Sequence, residues 1–222
     1  MKKNIAWTLV AATAFAASVV LPYLEGRFNG WWAIPPLLPV DILPPLVLLV
    51  SCIVLLGSWI RSLFPLVQSE PAVRKRYRMA KGLLFLLSSL LLGSRFFLPA
   101  SAELFHRGFN EYARTILTPD EWRQIAHYVQ AHPIPVKETP GMGVHFPSKE
   151  DIEALHAGLR SATPFRKLDR YAEIWTNGND TDVYWGGALV GHRHVMVMTH
   201  PGSERGDAKF VAEDIVTYLE KD

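Results

Sequence analysis

The chain has 222 residues, 49% of them hydrophobic, a formal charge of +2 at pH 7 and a single cysteine. The small net charge hides a split: residues 1–99 hold 10 Lys/Arg against 3 Asp/Glu and residues 100–222 hold 13 against 18, giving +7 and −5. This excludes one uniform soluble globule, and a lone cysteine excludes an intrachain disulfide.

The positive excess sits at the start of the chain and in one short run, where membrane topology and lipid headgroups account for it, so no nucleic-acid partner is expected. Met1-Lys2-Lys3 precedes an apolar stretch over Ile5–Leu24, close to the ~20 residues that cross a bilayer. Ala14-Phe15-Ala16 has the small-residue spacing of a signal-peptide cleavage site, but the apolar run continues through Val19-Val20-Leu21, which favours a retained helix. Residues 25–41 carry Trp31-Trp32 with Pro35, Pro36 and Pro39 and read as a connection along the membrane interface.

Residues 42–64 read as a second span, with Pro44-Pro45 tolerated in its first turn and Arg61 reaching back to the interface. Cys52, inside that run, reads as buried and inert. A basic loop is expected over 65–79, and Arg74-Lys75-Arg76-Tyr77-Arg78 with Lys81 is the strongest orientation signal in the chain. Residues 80–99 read as a third span, with Arg95 near its end either snorkelling or pairing with a partner subunit. The expected topology is N-terminus cytoplasmic, three spans (5–24, 42–64, 80–99), and residues 100–222 outside the cytoplasm. A bacterial cytoplasmic membrane is the simplest setting.

From Ser101 the spacing of Leu104, Phe105, Phe109, Tyr112 and Ile116 predicts an amphipathic helix. Thr118-Pro119-Asp120-Glu121 is a capping box with proline at N1, opening a second helix on Trp122, Ile125 and Val129. Residues 133–147 read as a loop with a short extended piece at 135–137. Ser148 is the expected cap of a helix carrying Ile152, Leu155 and Leu159, ended by Thr163-Pro164. Strands follow over 171–176, 182–190 and 192–199, with Asn177-Gly178 as a hairpin turn and Gly186-Gly187 as a bulge or close approach. A final helix is expected through Phe210, Val211, Ile215, Val216 and Leu219. The expected fold is therefore three transmembrane α-helices plus a C-terminal α+β domain, a three-stranded antiparallel meander packed with about four helices.

His192, His194, Met196, Met198 and His200 alternate, so a regular strand turns all five to one face. Imidazole with thioether suits Cu(I), and imidazole alone suits zinc, which makes His192 and His194 the candidate metal ligands. At ~3.3 Å per residue only neighbours two apart share an ion, so further ligands such as His145, Met142 or His127 are needed. The opposing expectation is that Met196 and Met198 pack in a core. Asn177–Asp182 resembles an acidic calcium loop but lacks the glycine and glutamate that such a loop needs, and reads as a turn. Asn179-Asp180-Thr181 is a glycosylation sequon only in a eukaryotic secretory compartment. Glu173 and Asp182 fall on adjacent strands as a possible acid–base pair.

No nucleophile elbow, zincin, Ser-x-x-Lys or Walker motif occurs. The functional expectation is a non-catalytic, membrane-anchored accessory or sensor protein that meets a protein partner through Trp175, Tyr184 and Trp185, with Arg95 as a further contact candidate. The alternative is a copper- or zinc-binding domain, or a metal-dependent enzyme, built on the strand 192–200.

Overall fold

The computed structural model describes residues 2–28, 43–64, 71–95, 101–133, 136–137, 146–147, 149–168, 172–177, 179–185, 192–199 and 208–220. These fall in two compact units, Met1–Phe105 and His106–Asp222.

The N-terminal unit contains α1 (Lys2–Arg27), α2 (Leu43–Leu63) and α3 (Pro71–Ser94). Two of them, α1 and α2, are long and apolar enough to cross a membrane. The face that α1 buries carries Asn4, Thr8, Ala11, Ala14 and Ser18, small side chains that let helix axes approach closely. Ala11, Ala14 and Leu48 form the packed centre, with Leu91 and Leu92 of α3 against it. Asn4 and Ser58 exchange side-chain hydrogen bonds of 2.9 and 3.1 Å between α1 and α2. Trp59 of α2 stacks on Phe85 of α3 at 5.9 Å, and a Cβ at Gly82 would lie 3.0 Å from the indole nitrogen, so the small residue sets this approach.

The expected third span is corrected here. No basic loop runs to residue 79: α3 begins at Pro71, so Lys75, Arg76, Arg78 and Lys81 are helical. The apolar part left within the helix, Gly82–Gly93, extends about 18 Å at ~1.5 Å per residue, short of the ~30 Å hydrocarbon core. Two candidate spans replace three among the described residues. The odd number of crossings that placed residues 100–222 outside the cytoplasm is thereby removed.

The C-terminal unit begins within α4 (Ser101–Ile116), which is followed by α5 (Pro119–Ala131), whose predicted capping box is present: Thr118 N–H donates to Glu121 Oε2 at 2.9 Å and Glu121 N–H to Thr118 Oγ1 at 3.3 Å. Trp122, fully buried, donates its indole N–H to the Ala113 carbonyl at 3.1 Å and so ties α5 to α4. A short pair, β1 (Val136–Lys137) and β2 (Phe146–Pro147), precedes α6 (Lys149–Ala162). Its expected cap, Ser148, lies outside the described residues. Gly158 of α6 admits Tyr128 of α5, whose hydroxyl would stand 2.2 Å from an added Cβ. Thr163 ends the helix as predicted and caps a 3-10 turn over Pro164–Lys167.

The sheet has five antiparallel strands, not three: β3 (Ala172–Asn177), β4 (Asp180–Trp185), β5 (His192–Val197), β6 (Lys209–Ala212) and β7 (Ile215–Glu220), in the order β3-β4-β5-β7-β6. The expected meander is its first three strands. The expected final helix is the β6–β7 hairpin, which corrects the fold class. Ile215 and Thr217 are buried on one face of β7, and Val216 and Tyr218 on the other. With both faces apolar, the period-two alternation that marks a half-exposed strand disappears. Arg123 grips this hairpin, its guanidinium donating to both Asp214 carboxylate oxygens at 2.8 Å. That fork holds the Asp214 carboxyl below the usual carboxylate range.

Candidate functional site: the polar and aromatic row on the sheet

Alternation along β4 sends Val183 and Trp185 toward the helices and Asp182 and Tyr184 to the opposite face. On the helix side, Trp185 is buried, edge-on to Phe109 at 5.6 Å and Tyr112 at 6.1 Å. It therefore does not belong to the exposed aromatic patch expected from the sequence. Two polar residues of α4 also meet this face: His106 Nε2 lies 3.0 Å from the Thr217 carbonyl, and the Asn110 amide donates to Thr217 Oγ1 at 3.0 Å. These bonds let a polar stripe of α4 lie against β7 with its groups paired.

On the opposite face the register places Glu173, Tyr184, His194 and Tyr218 side by side on β3, β4, β5 and β7. His194 stacks on Tyr218 with centroids 4.3 Å apart and on Tyr184 at 5.8 Å. Trp175 of β3 meets Tyr184 edge-on at 5.8 Å. Tyr184 donates its hydroxyl to Glu173 at 2.6 Å. Burial and that carboxylate together push the Tyr184 phenol above its ordinary value, so it stays a donor.

Asp182 lies diagonal to His194 and is 7% exposed. Its Oδ2 accepts from His194 Nδ1 at 2.8 Å and from the Tyr218 hydroxyl at 2.5 Å. With Asp182 Oδ2 as the acceptor, Nδ1 is the donor and carries a ring proton. Asp182 Oδ1 is buried with no hydrogen-bond partner among the described residues. The arrangement orients an imidazole and locks three strands together at one point.

The other sequence candidates are distributed as follows. Met196 and Met198 pack with Val216 and Tyr218 in an apolar cluster. His192 opens β5 opposite Glu220, and its side chain lies outside the described residues, as do Met142, His145, His200, Gly186-Gly187 and Trp31-Trp32. His127 is exposed on α5. Among the described residues no group of three or more His, Cys, Asp or Glu is placed to hold a metal ion. His194 and Asp182 alone do not complete a tetrahedral shell. Glu173 and Asp182 do share the face, but they bond to different partners. Arg95 directly follows α3 and is half-buried. The residue missed by sequence reading is Tyr218, hidden inside the expected helix; Val216-Thr217-Tyr218, rich in β-formers, was the available signal.

Comparison with known protein families, with curated proteins and with solved structures finds no match for this chain.

Proposed function

We propose that the chain is a membrane-anchored protein of a bacterial cytoplasmic membrane, crossed by α1 and α2, whose C-terminal unit works by contact as an accessory or sensor subunit of a membrane complex. The lysine-bearing start of α1 faces the cytoplasm by the positive-inside rule. The observation that carries the contact role is Trp175. It is 52% exposed, on the strand that ends the sheet, and its ring is braced by Tyr184, which Glu173 holds in turn. A large aromatic held in place yet open to solvent is the kind of residue that anchors protein interfaces, and the outer edge of β3 offers backbone groups for an added strand.

A photo-crosslinking residue at position 175, with one at exposed Glu153 of α6 as control, tests this in intact membranes of the native host. A discrete crosslinked product from 175 alone is the expected result. No product, or the same products from both positions, overturns the contact reading.

A further inference from the structure

The cations of the N-terminal unit are scattered in sequence but gather at one end of its three helices. The Asn4–Ser58 bonds set the start of α1 beside the last turns of α2. Arg78 donates to the Ser62 carbonyl at 2.7 Å and the Leu63 carbonyl at 3.1 Å, and Lys81 to the Ser58 carbonyl at 3.3 Å, which sets the basic turns of α3 at that same end. The Ser62 and Leu63 carbonyls are among the unsatisfied C-terminal acceptors of α2, where cations are favoured. Lys81 also lies 4.6 Å over the Tyr77 ring. Lys2, Lys3, Arg61, Lys75 and Arg76 surround this point, all exposed and none with an ion-pair partner among the described residues. Below them the sides of the helices present Leu9, Ile53 and Leu83 outward. The level at which an apolar flank gives way to unpaired cations is the headgroup level of a bilayer.

We propose that this basic end is a binding site for anionic phospholipid headgroups, with Lys75 and Arg76 contacting the phosphodiester and Arg78 and Lys81 positioning the helix that carries them. The proposal rests on the membrane-anchored reading given above. Arg78 and Lys81 are committed to backbone carbonyls, so they fix α3 against α2. The lysine and arginine beside them are thereby held at one depth, where a phosphate oxygen is within reach of both.

The full chain, reconstituted in phosphatidylcholine vesicles, is probed with spin-labelled phosphatidylglycerol and spin-labelled phosphatidylcholine, comparing the motionally restricted fractions. Preferential retention of the glycerol lipid is expected, falling on the order of fivefold for each cation removed in Lys75→Gln and Arg76→Gln. Lys2→Gln/Lys3→Gln, at the helix start, is expected to lower it as well and serves if the α3 variants fail to fold. Equal retention of both lipids by the wild type, or an unchanged preference in the variants, overturns the proposal. So does displacement of the labelled lipid by glycerol phosphate, which would mark a site for free phosphate instead. Failure of the chain to enter phosphatidylcholine vesicles at all contradicts the membrane-anchored reading itself, a separate result.

Discussion

In the N-terminal unit the buried positions include Asn4, Thr8, Ser18, Ser51 and Ser88, while Leu9 is 63% exposed and Leu83 67%. The C-terminal unit buries polar groups too, His106, Asn110, Asp182 and Thr217 among them, but it hides its large apolar side chains. Trp122, Trp185, Phe109, Phe165 and Ile125 are buried, and among the described residues Trp175 and Phe210 are its large exposed apolar side chains. The same chain thus follows two packing rules. Water drives large apolar groups inward, whereas in lipid a leucine gains nothing by burial and helices associate through small residues and polar contacts. The difference is what argues for two media, more directly than the hydropathy of either helix alone.

Polar groups buried in the two units should respond unequally to removal. Asp182→Ala leaves the His194 Nδ1 proton and the Tyr218 hydroxyl without their acceptor in a buried site, and at about 1–3 kcal/mol for each stranded group it should cost about 4 kcal/mol. Thermal or denaturant unfolding of the C-terminal unit, followed by near-ultraviolet circular dichroism, reads this; a loss below 1 kcal/mol would show that the cluster holds nothing. Next in size is Ile53→Lys, which places a charge at the centre of α2 and should weaken insertion by about 3 kcal/mol in a glycosylation or protease-protection assay. Phe210→Lys, equally exposed in kind, should change stability by no more than ~0.5 kcal/mol. Comparable effects at the two positions would break the comparison.

Asn4→Ala removes both bonds to Ser58, and in lipid such a contact is worth only about 0.6 kcal/mol, so helix association should drop slightly and insertion not at all. The smallest expected effect is a pH dependence. Burial first, and then the positive Arg160, hold the His156 imidazole below its ordinary value. The unfolded chain therefore binds a proton at a pH where the folded one does not. This group lowers stability as pH falls below about 6.5 and contributes nothing above it. His156→Gln should remove that share of the acid-side slope in pH-dependent melts; an identical slope would show that the ring is solvated when folded.

Much of the backbone was legible before any coordinates. The Thr118–Glu121 capping box fixed the start of α5, because its cue is local, and the apolar lengths gave α1 and α2 for the same reason. The third span failed because an apolar run and a basic run were divided near residue 79, whereas one helix contains both. Pro71, at the first position of α3, was the local mark of its start. The β6–β7 hairpin failed because its spacing of Ile215, Val216 and Leu219 fits a helix as well as a strand covered on both faces.

The site was legible only in part. Alternation separates Tyr184 from Trp185 once β4 is accepted, so the three-aromatic patch was divisible in principle. The Asp182–His194 contact depends on register across a hairpin, and Tyr218 enters only through the pairing of β5 with β7. Neither is written in any short stretch of sequence.

The central claim is that the exposed apolar flanks of α1 and α2 face lipid while the C-terminal unit faces water. Spin labels at single cysteines, Leu9→Cys, Ile53→Cys and Trp175→Cys in a Cys52→Ala background, test it in reconstituted vesicles through collisions with oxygen and with a water-soluble nickel chelate. Oxygen should dominate at positions 9 and 53, and the chelate at 175. Chelate access at 53 as high as at 175 would contradict the account.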